Sequence, residues 1–177
     1  MNYLTKNFGI TSNTIETIGS FTILWAIFER NCCQNNCTEA KLSKLAKLLL
    51  KEMTEEHRKE VFDLGKQFRE ALGTFLQLTS ELTESEIARR MYTNPLKCKP
   101  ELVNFLKGDT QKMGKPFLTG LIYAVYRIRN NLLHGQKDEY QLNEQNTFFE
   151  YANQLLCKLA GYIFYDRDFS NTTNTTP

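Results

Sequence analysis

PFLTGLIYAVYRIRNNLLHG, residues 116–135, is the stretch whose reading decides the fold. Its apolar residues Leu118, Leu121, Ile122, Val125, Ile128 and Leu132 share one stripe at helical spacing, which predicts a helix that Pro116 opens and Gly135 stops. One residue breaks the pattern. At about 100° per residue, Arg129 falls inside the stripe set by Leu118, Ile122 and Val125. A guanidinium is not neutralised at any working pH, so burying it there without a partner costs on the order of several kcal/mol. Arg129 must therefore face a carboxylate, a ligand or another subunit.

The same period extends outward from this stretch. Ile15, Ile18, Phe21, Trp25 and Phe28 repeat it, as do Val61, Leu64, Phe68, Leu72 and Phe75, and no segment sustains the alternation of a strand. Asn13 with Glu16, Thr38, Thr54, and Thr83 with Glu86 supply N-caps, the last as a capping box. They predict helices near 14–30, 39–53, 55–79 and 84–91. Asn94-Pro95 and Lys99-Pro100 break the chain, after which 101–107 forms a short helix ending at Gly108-Asp109. A final helix near 144–165 carries Phe148, Ala152, Leu155, Leu159 and Ile163. The expected fold is all-α: an antiparallel helical bundle of about four long helices with short additional ones.

With 177 residues, 41% of them hydrophobic, the chain has enough material for one core and too little for two ordinary domains. Residues 1–169 are expected to form that single domain, and SNTTNTTP at 170–177 a disordered tail. The longest apolar run, Phe21 to Phe28, is far below the ~18 residues that span a bilayer and is closed by Glu29 and Arg30, so it reads as core and no membrane partner is expected. The N-terminal residues MNYLTKNFGITSN lack the pattern of a secretory signal, which points to the cytoplasm. There the five cysteines, an odd number, are expected to stay reduced. Cys32-Cys33-x3-Cys37 lacks the CxxC spacing of a zinc site, and neither a metal nor another cofactor is expected. A net charge of +2 neither suggests nor excludes RNA.

On a continuous helix, His134 points about 140° away from Arg129 and shares a side with Asn130, four residues before it. Helical spacing alone therefore does not bring Arg129 and His134 together; a helix that ends at Gly135 allows it. The run Arg129-x4-His134, with polar Asn130 directly after the arginine and Gly135 behind the histidine, resembles the motif of the HEPN superfamily (higher eukaryotes and prokaryotes nucleotide-binding). That resemblance implies a helical bundle of about this size with the motif near the end of a late helix. It implies metal-independent endoribonuclease activity at a site formed by two motif copies across a homodimer, often in toxin–antitoxin or phage-defence systems. It makes Arg129 the phosphate ligand, Asn130 the residue that orients the site and His134 the proton-transfer group. The expected partners are a second copy of the chain, RNA, and an antitoxin or other regulatory protein.

The chemistry is consistent on its own terms. RNA carries its own nucleophile in the 2′-hydroxyl, so cleavage needs a base, an acid and a donor for the charge growing on the phosphate. Histidine titrates near neutrality, and arginine binds phosphate oxygens in pairs. Of the two histidines, His57 lies in a charged helix start, which leaves His134. A dimer supplying it twice provides both acid and base. Arg127, Tyr126 and Lys115 are the expected substrate-binding residues, with Lys112 and Tyr123 beside them. The competing reading is a catalytically silent helical module binding a protein or nucleotide partner, in which Arg129 pairs with Glu16, Glu29 or Glu150 and His134 caps helix carbonyls.

Overall fold

A computed structural model describes residues 3–92, 94–110, 112–133 and 141–171. Among these the chain forms eight α-helices and no strand: α1 Tyr3–Phe8, α2 Ser12–Cys33, α3 Glu39–Glu52, α4 Glu55–Phe75, α5 Glu84–Met91, α6 Pro100–Lys107, α7 Lys115–Leu133 and α8 Asn146–Asn171. Short 3₁₀ turns occupy Pro95–Lys97 and Asn143–Gln145. Four helices are long, α2, α4, α7 and α8, and the expected all-α bundle is the fold. No helix among the described residues is long and apolar enough to cross a membrane.

Local chemistry accounts for most boundaries. Thr38, Thr54 and Thr83 sit in extended backbone, and each accepts a first-turn N–H on its side chain; Thr83 and Glu86 complete the capping box. Several boundaries depart from expectation. Thr11 rather than Asn13 caps α2, its hydroxyl accepting the N–H of Thr14 at 3.1 Å, so that helix starts earlier. Helix α4 ends at Phe75 instead of continuing to 79, because Gln77 turns left-handed at φ 53° and the Leu78 N–H folds back onto the Gly73 carbonyl. Helix α1 was not anticipated; its six residues bury none of their own. The last helix runs to Asn171, two residues into the stretch expected to be tail.

The core joins all the long helices. Helix α7 is at its centre: every residue from Phe117 to Val125 is buried, so its apolar surface goes all round and not along one stripe. Phe117 meets Phe62 of α4 at 4.7 Å between ring centroids and Phe105 of α6 at 5.4 Å. Gly120 lets α6 approach, since a Cβ there would collide with the Glu101 carbonyl oxygen and the Phe105 Cβ. Helices α4 and α8 run antiparallel, as the pairs Phe75–Phe148 and Glu60–Lys158 require. Helices α2 and α7 run in the same direction where they touch, with Trp25 against Tyr126 and Glu29 against Arg129. That last register builds the site.

Candidate functional site

The spacing of two residue pairs creates the cluster. Trp25 and Glu29 stand one turn apart on α2; Tyr126 and Arg129 stand nearly one turn apart on α7. With the helices aligned, the Trp25 and Tyr126 rings lie 5.9 Å apart and the Arg129 guanidinium lies 5.9 Å from the Trp25 ring centre. Arg129 Nη2 donates to Glu29 Oε2 at 3.3 Å, and its Nη1 donates to Asn130 Oδ1 at 3.0 Å. The out-of-place arginine thus finds a carboxylate, one of the three that the sequence offered. Both side chains of the ion pair are partly shielded, at 29% and 21% exposure, so the attraction is less screened than at an open surface.

Glu29 has more than one partner. The Trp25 indole N–H donates to Oε2 at 3.2 Å, and the Cys37 backbone N–H donates to Oε1 at 3.2 Å. The second bond depends on the turn after α2. Gln34 and Asn35 are both left-handed, at φ 54° and 60°, and return the chain so that Cys37 lies beside Cys33. These two cysteines form a disulfide, with their Cα atoms 5.1 Å apart. The expectation of five reduced thiols is therefore corrected: helix end and double left-handed turn bring two of them within bonding reach, a geometry the spacing alone does not display. Cys33 and Cys37 are both buried.

The remaining expected site residues divide. Asn130 is buried at 9% exposure, and its side-chain oxygen serves Arg129. Tyr126 is half-buried in the same cluster. Arg127 points the other way: it lies 3.8 Å over the Tyr92 ring and its Nη2 donates to the Met91 carbonyl and to Asn131 Oδ1, both at 3.0 Å. Lys115 is exposed at the opposite end of α7, about 21 Å from Arg129 along the axis. His134 and Gly135 lie outside the described residues. The pairing expected between Asn130 and His134 therefore falls there too.

Behind Arg127 lies a partly buried polar network absent from the sequence reading. The Tyr92 hydroxyl donates to Glu39 Oε1 at 3.3 Å, Lys99 pairs with Glu39 Oε2 at 3.3 Å, and the Tyr123 hydroxyl donates to the Glu39 carbonyl at 3.0 Å. Burial pushes the Cys98 thiol up to about 11, reinforced by the Glu39 charge and opposed by Arg127. Burial likewise raises the Tyr92 and Tyr123 hydroxyls. On this side of α7 opens a cleft of about 280 Å³, lined by Phe75, Arg89, Arg90, Tyr92, Asn131 and Gln141 among others. Arg89 and Arg90 are exposed at the end of α5; the only sequence signal for them was an adjacent pair of arginines.

The arrangement gives α7 two polar faces near its C-terminal end. One presents Arg129, tethered by a carboxylate and an amide. The other presents arginines, an aromatic wall and amide groups around a cleft. Comparison with protein-family models, curated proteins and solved structures yields no match to the chain.

Proposed function

We propose that the protein is a cytoplasmic, metal-independent endoribonuclease of HEPN type, acting as a homodimer and restrained by an antitoxin or other regulatory protein in a toxin–antitoxin or phage-defence setting. The observation that carries this reading is the state of Arg129. A guanidinium has five N–H donors, and Arg129 commits one on each terminal nitrogen, to Glu29 and to Asn130. One further N–H on each terminal nitrogen is left for a phosphate oxygen, while two neighbours fix the plane of the group.

In this reading His134 takes the proton of the 2′-hydroxyl. The 2′-oxygen then bonds to phosphorus while the bond from phosphorus to the 5′-oxygen breaks, and a second copy of His134 protonates the departing oxygen. Arg129 balances the charge on the phosphate, and Asn130 orients Arg129. The products are a 2′,3′-cyclic phosphate and a 5′-hydroxyl.

A second reading has specific support. The Arg129–Glu29 ion pair satisfies the guanidinium within the chain, as a catalytically silent binding or scaffold module requires. Expression in a bacterial host separates the two. Growth arrest by the wild type and none by Arg129→Ala or His134→Ala at equal folded yield favours the ribonuclease. Equal growth of all three favours the silent module.

A further inference from the structure

We propose that Glu29 is the positioning residue for Arg129 and that the Cys33–Cys37 disulfide sets its hold, making the pair a thiol–disulfide switch. The role of Arg129 in catalysis rests on the ribonuclease reading; the coupling itself does not. The chain of contacts is short and continuous. The disulfide fixes Cys37 against the end of α2, the Cys37 N–H donates to Glu29 Oε1, and Glu29 Oε2 accepts from both Trp25 and Arg129. Beyond the disulfide, every link is a hydrogen bond to one carboxylate.

The closing loop is poised to open. Gln34 occupies left-handed backbone that its side chain disfavours, Asn35 beside it is left-handed as asparagine more readily allows, and Gln34 to Asn36 are exposed. The conformation is tied down by the Gln34 and Asn35 N–H groups on the Glu29 carbonyl, by Lys41 Nζ on the Cys33 carbonyl at 3.0 Å, and by the disulfide. Reduction removes the covalent tie. Both cysteines are buried, so attack requires the exposed 34–36 turn to open; a thiolate of a cellular dithiol then attacks one sulfur and the other leaves as thiolate. The second thiol of the reductant then resolves the mixed disulfide, so two electrons and two protons pass to the protein and the reductant leaves as its own disulfide. Reoxidation by a low-molecular-weight disulfide reverses each step. With the tie gone the strained turn relaxes, the Cys37 N–H withdraws from Glu29, and the carboxylate loses the donor that fixes its orientation. The disulfide form is the one in which Arg129 is held.

The chain contains a single tryptophan, Trp25, and it touches both Glu29 and Arg129, so its fluorescence reads the cluster directly. The experiment compares full-length protein before and after complete reduction by a phosphine, with alkylation and mass measurement counting the thiols released. The expected result is two new thiols, at Cys33 and Cys37, a shift of Trp25 emission, and RNA cleavage lowered about ten-fold or more, as when a positioned charge loses its orientation. Cys32→Ser keeps the response. The double variant Cys33→Ser with Cys37→Ser, its helical content checked by circular dichroism, gives the reduced-state emission and ignores the phosphine. Glu29→Gln removes the response of Trp25 to reduction, and Glu29→Asp restores part of it.

Two results overturn the switch: Cys33 and Cys37 alkylated without reductant, or Trp25 emission unchanged after both thiols have been released. A Trp25 response with no RNA cleavage in either state leaves the switch standing and removes the ribonuclease reading.

Discussion

Arg129 and Glu29, a hundred positions apart in the chain, meet at 3.3 Å where long side chains of α2 and α7 reach across to one another. The pair is partly shielded and each member has further hydrogen bonds, so removing one side strands the other. Glu29→Gln presents an amide N–H₂ toward groups that are themselves donors: Trp25, Cys37 and Arg129. We predict a loss of about 1–3 kcal/mol in urea unfolding with an unchanged m-value. A double-mutant cycle with Arg129→Ala should return a favourable coupling, and a coupling of zero would contradict a mutual interaction.

Gly120 sets how closely α6 and α7 approach. Gly120→Ala should destabilise by about 1–3 kcal/mol, since the added methyl meets a backbone carbonyl that has no room to give way. Gly161→Ala is the control, because nothing lies within 4 Å of a Cβ at that position. Equal unfolding midpoints for the two variants would refute the close packing of α6 on α7.

The network around Cys98 predicts an alkaline limit. A thiol held near 11 in the folded protein against its ordinary 9.0 ionises more easily when unfolded. Its contribution is fully present below pH 9.0 and is lost as the pH rises through about 11. The raised Tyr92 and Tyr123 hydroxyls act in the same sense as the pH rises above their ordinary 10.0. Denaturant midpoints should fall across that window, and Cys98→Ala should flatten the first part of the fall. At neutral pH iodoacetamide should label exposed Cys157 well before Cys98.

Arg89 and Arg90 line the cleft on the far side of α7 from Arg129. If an RNA strand follows that cleft, each arginine that touches a phosphate adds to the salt dependence of binding. Replacing both by Gln should weaken RNA binding without changing the helical content. Each lost contact should flatten the slope of log K against log salt by about 0.7. An unaltered slope means the strand runs elsewhere.

How much of this was written in the sequence differs by level. Helix positions were legible because threonine caps, proline breaks and apolar period are local signals, and Thr38, Thr54 and Thr83 act as read. The end of α4 was missed because the Gln77 turn has no glycine to announce it. At the site, periodicity showed that Arg129 needed a partner and offered Glu29 as one of three; choosing among them required the register of α2 against α7. The separation of Arg127 from Arg129 follows from two residues at about 200° on one helix, yet expecting Arg127 to bind substrate beside Arg129 ignored that angle. The Cys33–Cys37 bond was hidden by a different cause. It depends on two left-handed residues at Gln34 and Asn35, which nothing in their side chains demands.

The central claim is that Arg129 and His134 cleave RNA through its 2′-hydroxyl. Its most direct test is incubation of purified wild type, Arg129→Ala and His134→Ala with a labelled RNA and with the same strand carrying 2′-deoxy sugars, all in excess chelator. The account predicts cleavage by wild type alone, only of the ribose strand, leaving 2′,3′-cyclic phosphate and 5′-hydroxyl ends. Cleavage abolished by the chelator, or retained by either variant at the wild-type rate, contradicts it.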